Sequence, residues 1–194
     1  MKILTQSGAF EYEEKRSRFL GYCAPVSTEE EARSIITNIR AAHPKANHNV
    51  YAYAVRQTNI TRMSDDGEPS GTAGMPVLNV FQKSGIADYV CVVTRYFGGT
   101  LLGVGGLVRS YTKAAKGAME AALPTEEIIC TLYQVTCAYN RFDKLKYTFD
   151  KWGIEILDIS YTDHCKLTVQ VTEAQEDLFL GGEFYDVVRP TANA

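Results

Sequence analysis

The sequence predicts an α+β chain made of two consecutive units. Three observations carry this. Alternating, strand-like apolar runs are interleaved with helical apolar stripes, Ala87–Thr94 is apolar almost throughout, and beyond Pro124 the pattern restarts as β-α-β-β. A length of 194 residues suits one large domain or two small ones.

In chain order, the alternation of Phe19 to Val26 predicts a strand that Pro25 ends. Ser27 with Glu30 three residues later reads as a capping box. Ala32, Ile35, Ile36 and Ile39 then repeat at helical spacing until Pro44. Val50 to Arg56 alternates as a strand, and polar, glycine-rich Asp65 to Gly74 is a loop. Met75 to Lys83 is a short helix turning Leu78 and Phe81 inward. Ala87–Thr94, rich in β-branched residues, reads as a central strand buried on both faces. Val104, Leu107, Val108, Tyr111, Ala115, Ala118, Met119 and Ala122 form the apolar stripe of the next helix, which Pro124 closes.

The second half predicts a strand over Ile128–Tyr139 and a helix with Phe142, Leu145, Phe149 and Trp152 inward. Gly153 stands at the C′ position of that helix. Strands over Ile154–Tyr161 and Cys165–Val171 follow, with a bulge expected at Ile156-Leu157. A second helix begins at Asp177-Leu178-Phe179-Leu180 and is cut short by Gly181-Gly182. The expected domains are 1–124 and 127–187, with a flexible tail over 188–194.

Hydrophobic residues make up 45% and charged residues 22%, ordinary values for a soluble globular protein. With a net charge of only -3, nucleic-acid binding requires a local basic patch, not a basic domain. No apolar run approaches the roughly 20 residues of a membrane helix, and no signal peptide is expected after Lys2. Cys23, Cys91, Cys130, Cys137 and Cys165 show no C-x-x-C spacing and read as reduced core thiols of a cytoplasmic protein.

The segment Thr94 to Tyr111 carries the best functional lead. An apolar strand ends in Arg95, passes Gly98, Gly99, Gly103, Gly105 and Gly106, and opens into a helix bearing Arg109 and Lys113. The first amides of a helix with positive side chains beside them favour an anion, such as the phosphate of RNA. Glycines also serve close backbone packing, and both readings stand at this level. The segment is neither a P-loop nor a dinucleotide fingerprint, so no cofactor is expected.

Asp65-Asp66-Gly67-Glu68-Pro69-Ser70-Gly71-Thr72-Ala73-Gly74-Met75-Pro76, Thr94-Arg95-Tyr96-Phe97-Gly98-Gly99 and Leu102 to Tyr111 resemble the YigZ/Impact family. Lys15-Arg16-Ser17-Arg18-Phe19 and His48-Asn49-Val50-Tyr51-Ala52-Tyr53 are similar to its other two motifs. The resemblance implies an N-terminal domain of the ribosomal protein S5 domain 2-like fold. It also implies a ferredoxin-like C-terminal domain similar to domain V of elongation factor G. Eukaryotic Impact proteins regulate translation by engaging the activator of an initiation-factor kinase, and no agreed enzymatic activity comes with the family. Val50 stands where members often carry cysteine.

The leading expectation is therefore a cytoplasmic regulator of translation that binds RNA, the ribosome or a protein partner. Its candidate ligand-binding residues are Arg95, Gly98, Gly99, Gly103, Gly105, Gly106, Arg109 and Lys113. Arg18, His48, Asp65, Asp66, Glu68, Ser70 and Thr72 are candidate partners on the same surface. The competing readings are a phosphotransferase or hydrolase that uses the acidic loop 65–68, and a protein-docking module. Ser70 lacks a G-x-S-x-G frame, and no two histidines have metal-ligand spacing, so neither a catalytic residue nor a metal is assigned. No feature of the sequence specifies an oligomeric state.

Overall fold

The computed structural model describes residues 1–182 and 185–188. The chain divides into two compact units, Met1–Glu127 and Ile128–Ala194, in a mixed α+β architecture. The first contains β1 (Lys2–Leu4), β2 (Gly8–Glu14), β3 (Ser17–Pro25), α1 (Glu29–Ala42), β4 (His48–Val55) and β5 (Ile60–Ser64). It continues with α2 (Gly74–Ser84), β6 (Tyr89–Tyr96), α3 (Gly103–Ala121) and β7 (Pro124–Glu126). An antiparallel sheet of order β2-β3-β6-β4-β5 forms its centre.

Strand β6 is buried on both faces because helices cover the sheet from both sides. Its side chains alternate between two cores. Val90 and Val92 join Ala32 and Ile36 of α1, whereas Cys91 and Val93 join Phe81 of α2 and Tyr111 and Ala115 of α3. An uninterrupted apolar run thus serves here in an antiparallel sheet.

Several local expectations change. The helix cap lies one residue later than Ser27 and Glu30: the Thr28 hydroxyl accepts from the Glu31 amide, and the Glu31 carboxylate accepts from the Ser27 amide. Val104, assigned to the inward stripe of α3, is exposed, and the buried stripe begins at Leu107. Strands β2 and β5 have no counterpart in the sequence reading, since one residue of β2 and none of β5 is buried. Pro124–Glu126 pairs with Lys2–Leu4 and so belongs to the first unit.

The second unit runs β8 (Cys130–Cys137), α4 (Tyr139–Trp152), β9 (Glu155–Tyr161), β10 (Cys165–Thr172), α5 (Glu173–Leu180) and β11 (Asp186–Val188). Its antiparallel sheet has the order β11-β8-β10-β9. A β-α-β-β-α-β succession in this order is the ferredoxin-like arrangement. The expected stub at Asp177–Leu180 is a complete helix. It starts at Glu173 because Thr172 and Gln175 form a capping box. The register shift between β9 and β10 leaves Leu157 as the extra, exposed residue of a bulge, with Ile156 turned to the core. Of the expected tail, residues 189–194 lie outside the described residues.

Candidate nucleic-acid interface

The glycine-rich connection between β6 and α3 meets the β2–β3 hairpin and the 65–72 loop in the first unit. Arg95, the last residue but one of β6, is only 5% exposed. Its Nη1 donates to Glu68 Oε1 at 2.5 Å and its Nη2 to Ser17 Oγ at 3.4 Å. Its guanidinium carbon lies 5.5 Å from the ring centres of both Phe19 and Phe97. The Tyr111 hydroxyl of α3 donates to Glu68 Oε1 at 2.8 Å, and burial pushes its pKa well up. His48 Nε2 stands 3.7 Å from the same oxygen. His48 Nδ1 lies 2.8 Å from the Asp66 carbonyl, an acceptor only, so this nitrogen carries the proton.

Asp65, Asp66 and Glu68 each have protein partners. Asp65 accepts the amides of Gly71, Ala73 and Gly74, capping α2 from outside the helix. Burial raises its pKa, but these three amides prevail and hold it below the ordinary value. Asp66 accepts from Arg40 and from the Asn49 amide, each at 2.6 Å. Thr72 is buried and bonds the Pro69 carbonyl, while Ser70 is exposed. Arg18 pairs with Glu11 on the exposed side of the hairpin. Among the described residues, no group of three His, Cys, Asp or Glu is arranged to hold a metal ion.

The glycines divide between the two readings. A Cβ on Gly98 would stand 2.0 Å from the Arg16 carbonyl carbon, so this glycine allows the loop to sit against the hairpin tip. Gly103 meets nothing within 4 Å and takes φ +69 as the chain enters α3. The α3 N-terminus has no side-chain cap and no acidic residue in its first turn. Its first amides are therefore open to an outside acceptor.

Cations gather beside these amides. The Arg109 guanidinium lies back over the first turn, Nη1 being 3.4 Å from where a Gly105 Cβ would stand. Arg109 shares a small pocket with Lys15, Tyr12 and Gly106, and with Glu14, whose carboxylate accepts from the Tyr12 hydroxyl. The Lys113 ammonium caps the Tyr12 ring at 3.9 Å. Lys15 and Arg16 form the hairpin loop, both at left-handed φ (48° and 68°). Arg56 is instead tied to Asp88 and Glu127. Tyr53 lies in the α1-side core with Tyr51 packed against it.

On the other side of the α3 N-terminus is a groove of about 460 Å³ that the sequence reading missed. His48, Glu68 and Arg95 contribute its polar groups, and Phe97, Leu101 and Val104 its apolar wall. Those three apolar residues are 43%, 82% and 65% exposed. The available signal was three large apolar residues spread among glycines, where a strand-to-helix turn has no core to fill.

Comparison with known proteins gives a consistent picture. Residues 15–119 match the Impact N-terminal domain, and residues 135–180 match a domain of unknown function (DUF1949). The chain is 34% identical to IMPACT family member YvyE of Bacillus subtilis, over 90% of this chain and 81% of that one. It is 32% identical to IMPACT family member YigZ of Escherichia coli, over 83% and 80%. A crystal structure of a hypothetical protein aligns at a TM-score of 0.62 and 27% identity, covering 99% of this chain and 98% of its own. The structure of the two-domain translational regulator Yih1 aligns at a TM-score of 0.41 and 23% identity, covering 60% and 47%.

Proposed function

This chain belongs to the IMPACT family, and from that premise we propose that it regulates translation in the cytoplasm by binding RNA, free or on the ribosome. The family supplies the biological setting, through the translation control that the resemblance to eukaryotic Impact proteins implies. The observation that carries the RNA reading is the uncapped, acid-free N-terminus of α3 with Lys15 and Arg109 beside it, and with Lys113 further along the same helix. Open amides and exposed cations suit a phosphate backbone. Arg95 plays a different part, because Glu68 balances its charge and the pair holds the loop in position.

The phosphotransferase or hydrolase reading lacks a comparable feature, since the loop carboxylates are engaged in capping and ion pairs. Binding of labelled single-stranded RNA across a salt series tests the proposal. The logarithm of the association constant should fall linearly with log salt as counterions are released. Arg109→Ala with Lys113→Ala should flatten that slope by about 1.4, at roughly 0.7 per lost phosphate contact on a single strand. Both residues are exposed, so the double variant should keep its fold. Salt-independent binding, or an unchanged slope in the folded double variant, would overturn the reading.

A further inference from the structure

We infer that the groove beside the α3 N-terminus is a base pocket, accepting one unstacked RNA base while the adjoining phosphate rests on the helix amides. This rests on the RNA-binding reading above and adds to it a defined site. Three features of the groove point to this occupant.

The first is its polar equipment. Arg95 is buried and its Nε–H has no hydrogen-bond acceptor among the described residues, although a buried guanidinium donor is costly to leave unmatched. Glu68 accepts from Arg95 and Tyr111 on Oε1, with His48 Nε2 3.7 Å from the same atom, and no described residue bonds Oε2. Both side chains line one apolar groove, the usual composition of a small-ligand site, and the Arg95 Nε–H, itself buried, meets an acceptor there when the guanidinium turns toward the groove. Every nucleobase carries both a donor and an acceptor on its Watson–Crick edge, so the pair fits a base without selecting one.

The second is the wall. Phe97 is partly exposed, and the Arg95 guanidinium lies against its ring. A base on the open part of Phe97 would gain aromatic stacking, the interaction that makes single-strand binding tolerant of sequence.

The third is charge. The groove ends at Gly103 and Val104, the first residues of α3, where the amides and Arg109 favour an anion. A nucleotide joins a flat, edge-polar ring to a phosphate, matching the groove and its rim together. A volume of about 460 Å³ lies within the range of small-ligand pockets.

The test compares short labelled oligouridylates that differ only in one central position, uridine or abasic, by fluorescence anisotropy. The base-bearing oligomer should bind the wild type about tenfold more tightly, the loss expected for one stacked base. Phe97→Ala should abolish that difference while leaving the salt slope unchanged, because the cations are untouched. Leu101→Ser, an uncharged change at a more exposed position of the same wall, provides the same test should Phe97→Ala fail to fold. Equal wild-type affinity for both oligomers would overturn the base pocket alone and leave RNA binding intact. Absence of RNA binding would overturn both proposals. Displacement of neither oligomer by an uncharged leucine-rich peptide is expected; displacement without base dependence would assign the groove to a protein partner and overturn the proposal.

Discussion

Arg95 and Glu68 illustrate how a charged motif residue can act inside the protein. Removing one partner of a buried ion pair leaves the other charged and unsolvated, at a cost of about 3–5 kcal/mol. Arg95→Ala should therefore lower stability by about that amount in urea denaturation, and Glu68→Gln by less, since the amide still accepts a hydrogen bond. An Arg95→Ala effect below about 1 kcal/mol would contradict the pairing, a surface salt bridge being worth no more. Asp65 makes a second residue-scale case, because its carboxylate caps α2 from nine residues before Gly74. Asp65→Ala should cost about 1–2 kcal/mol, as for other cap deletions. Its folded pKa is depressed below 3.8, so the stabilisation is present above that value and fades as pH falls through the lower folded one. The gap in melting temperature between wild type and Asp65→Asn should accordingly close in strong acid; a constant gap would contradict the assignment. Neither partnership could be read from the sequence. Glu68 lies 27 residues from Arg95, and no periodicity links a loop acid to a strand-end arginine.

At the scale of elements, the hairpin between β2 and β3 bears a strain that its residues do not relieve. Lys15 and Arg16 both hold left-handed φ where Asn-Gly would be at ease, at a cost of about 1–2 kcal/mol each. Replacing Lys15-Arg16 by Asn-Gly should raise the melting temperature and weaken RNA binding together. A stabilised variant with undiminished binding would show that the cationic tip has no part in the site. The cysteines test burial in the same way. Burial pushes the Cys23 thiol up to about 12 and raises Cys91 and Cys137, whereas Cys130 is partly exposed. A disulfide reagent at neutral pH should label Cys130 first in the native protein and all five thiols only after denaturation. Elements with a buried face were legible: β6, α3 and α4 carry strong apolar patterns because each packs on a core. Strands β2 and β5, at the sheet edges, and the three-residue β1 and β7 were not, since their places depend on pairing with distant residues.

For the whole molecule, motif order was more informative than periodicity. Ser17, Glu68, Arg95 and Tyr111 come from separated stretches, yet one hydrogen-bonded cluster joins them, with His48 close to its Glu68 carboxylate, and that cluster positions the glycine turn. The groove was hidden for the opposite reason: its apolar wall lies on exposed positions that carry no period. Each unit has its own core, centred on Phe19, Phe81, Val93 and Tyr111 in one and on Tyr133, Leu145, Phe149 and Phe179 in the other. We expect fragments 1–127 and 128–194 to fold separately, each with a cooperative thermal transition by circular dichroism. The shorter fragment should melt at the lower temperature, because a small chain buries a smaller fraction of its surface. Every residue of the proposed RNA site lies in the first unit. Fragment 1–127 should therefore bind single-stranded RNA within about twofold of the full chain and with the same salt slope, since the phosphate contacts are all retained. A folded fragment 1–127 that had lost most of its affinity would locate part of the binding surface in the second unit.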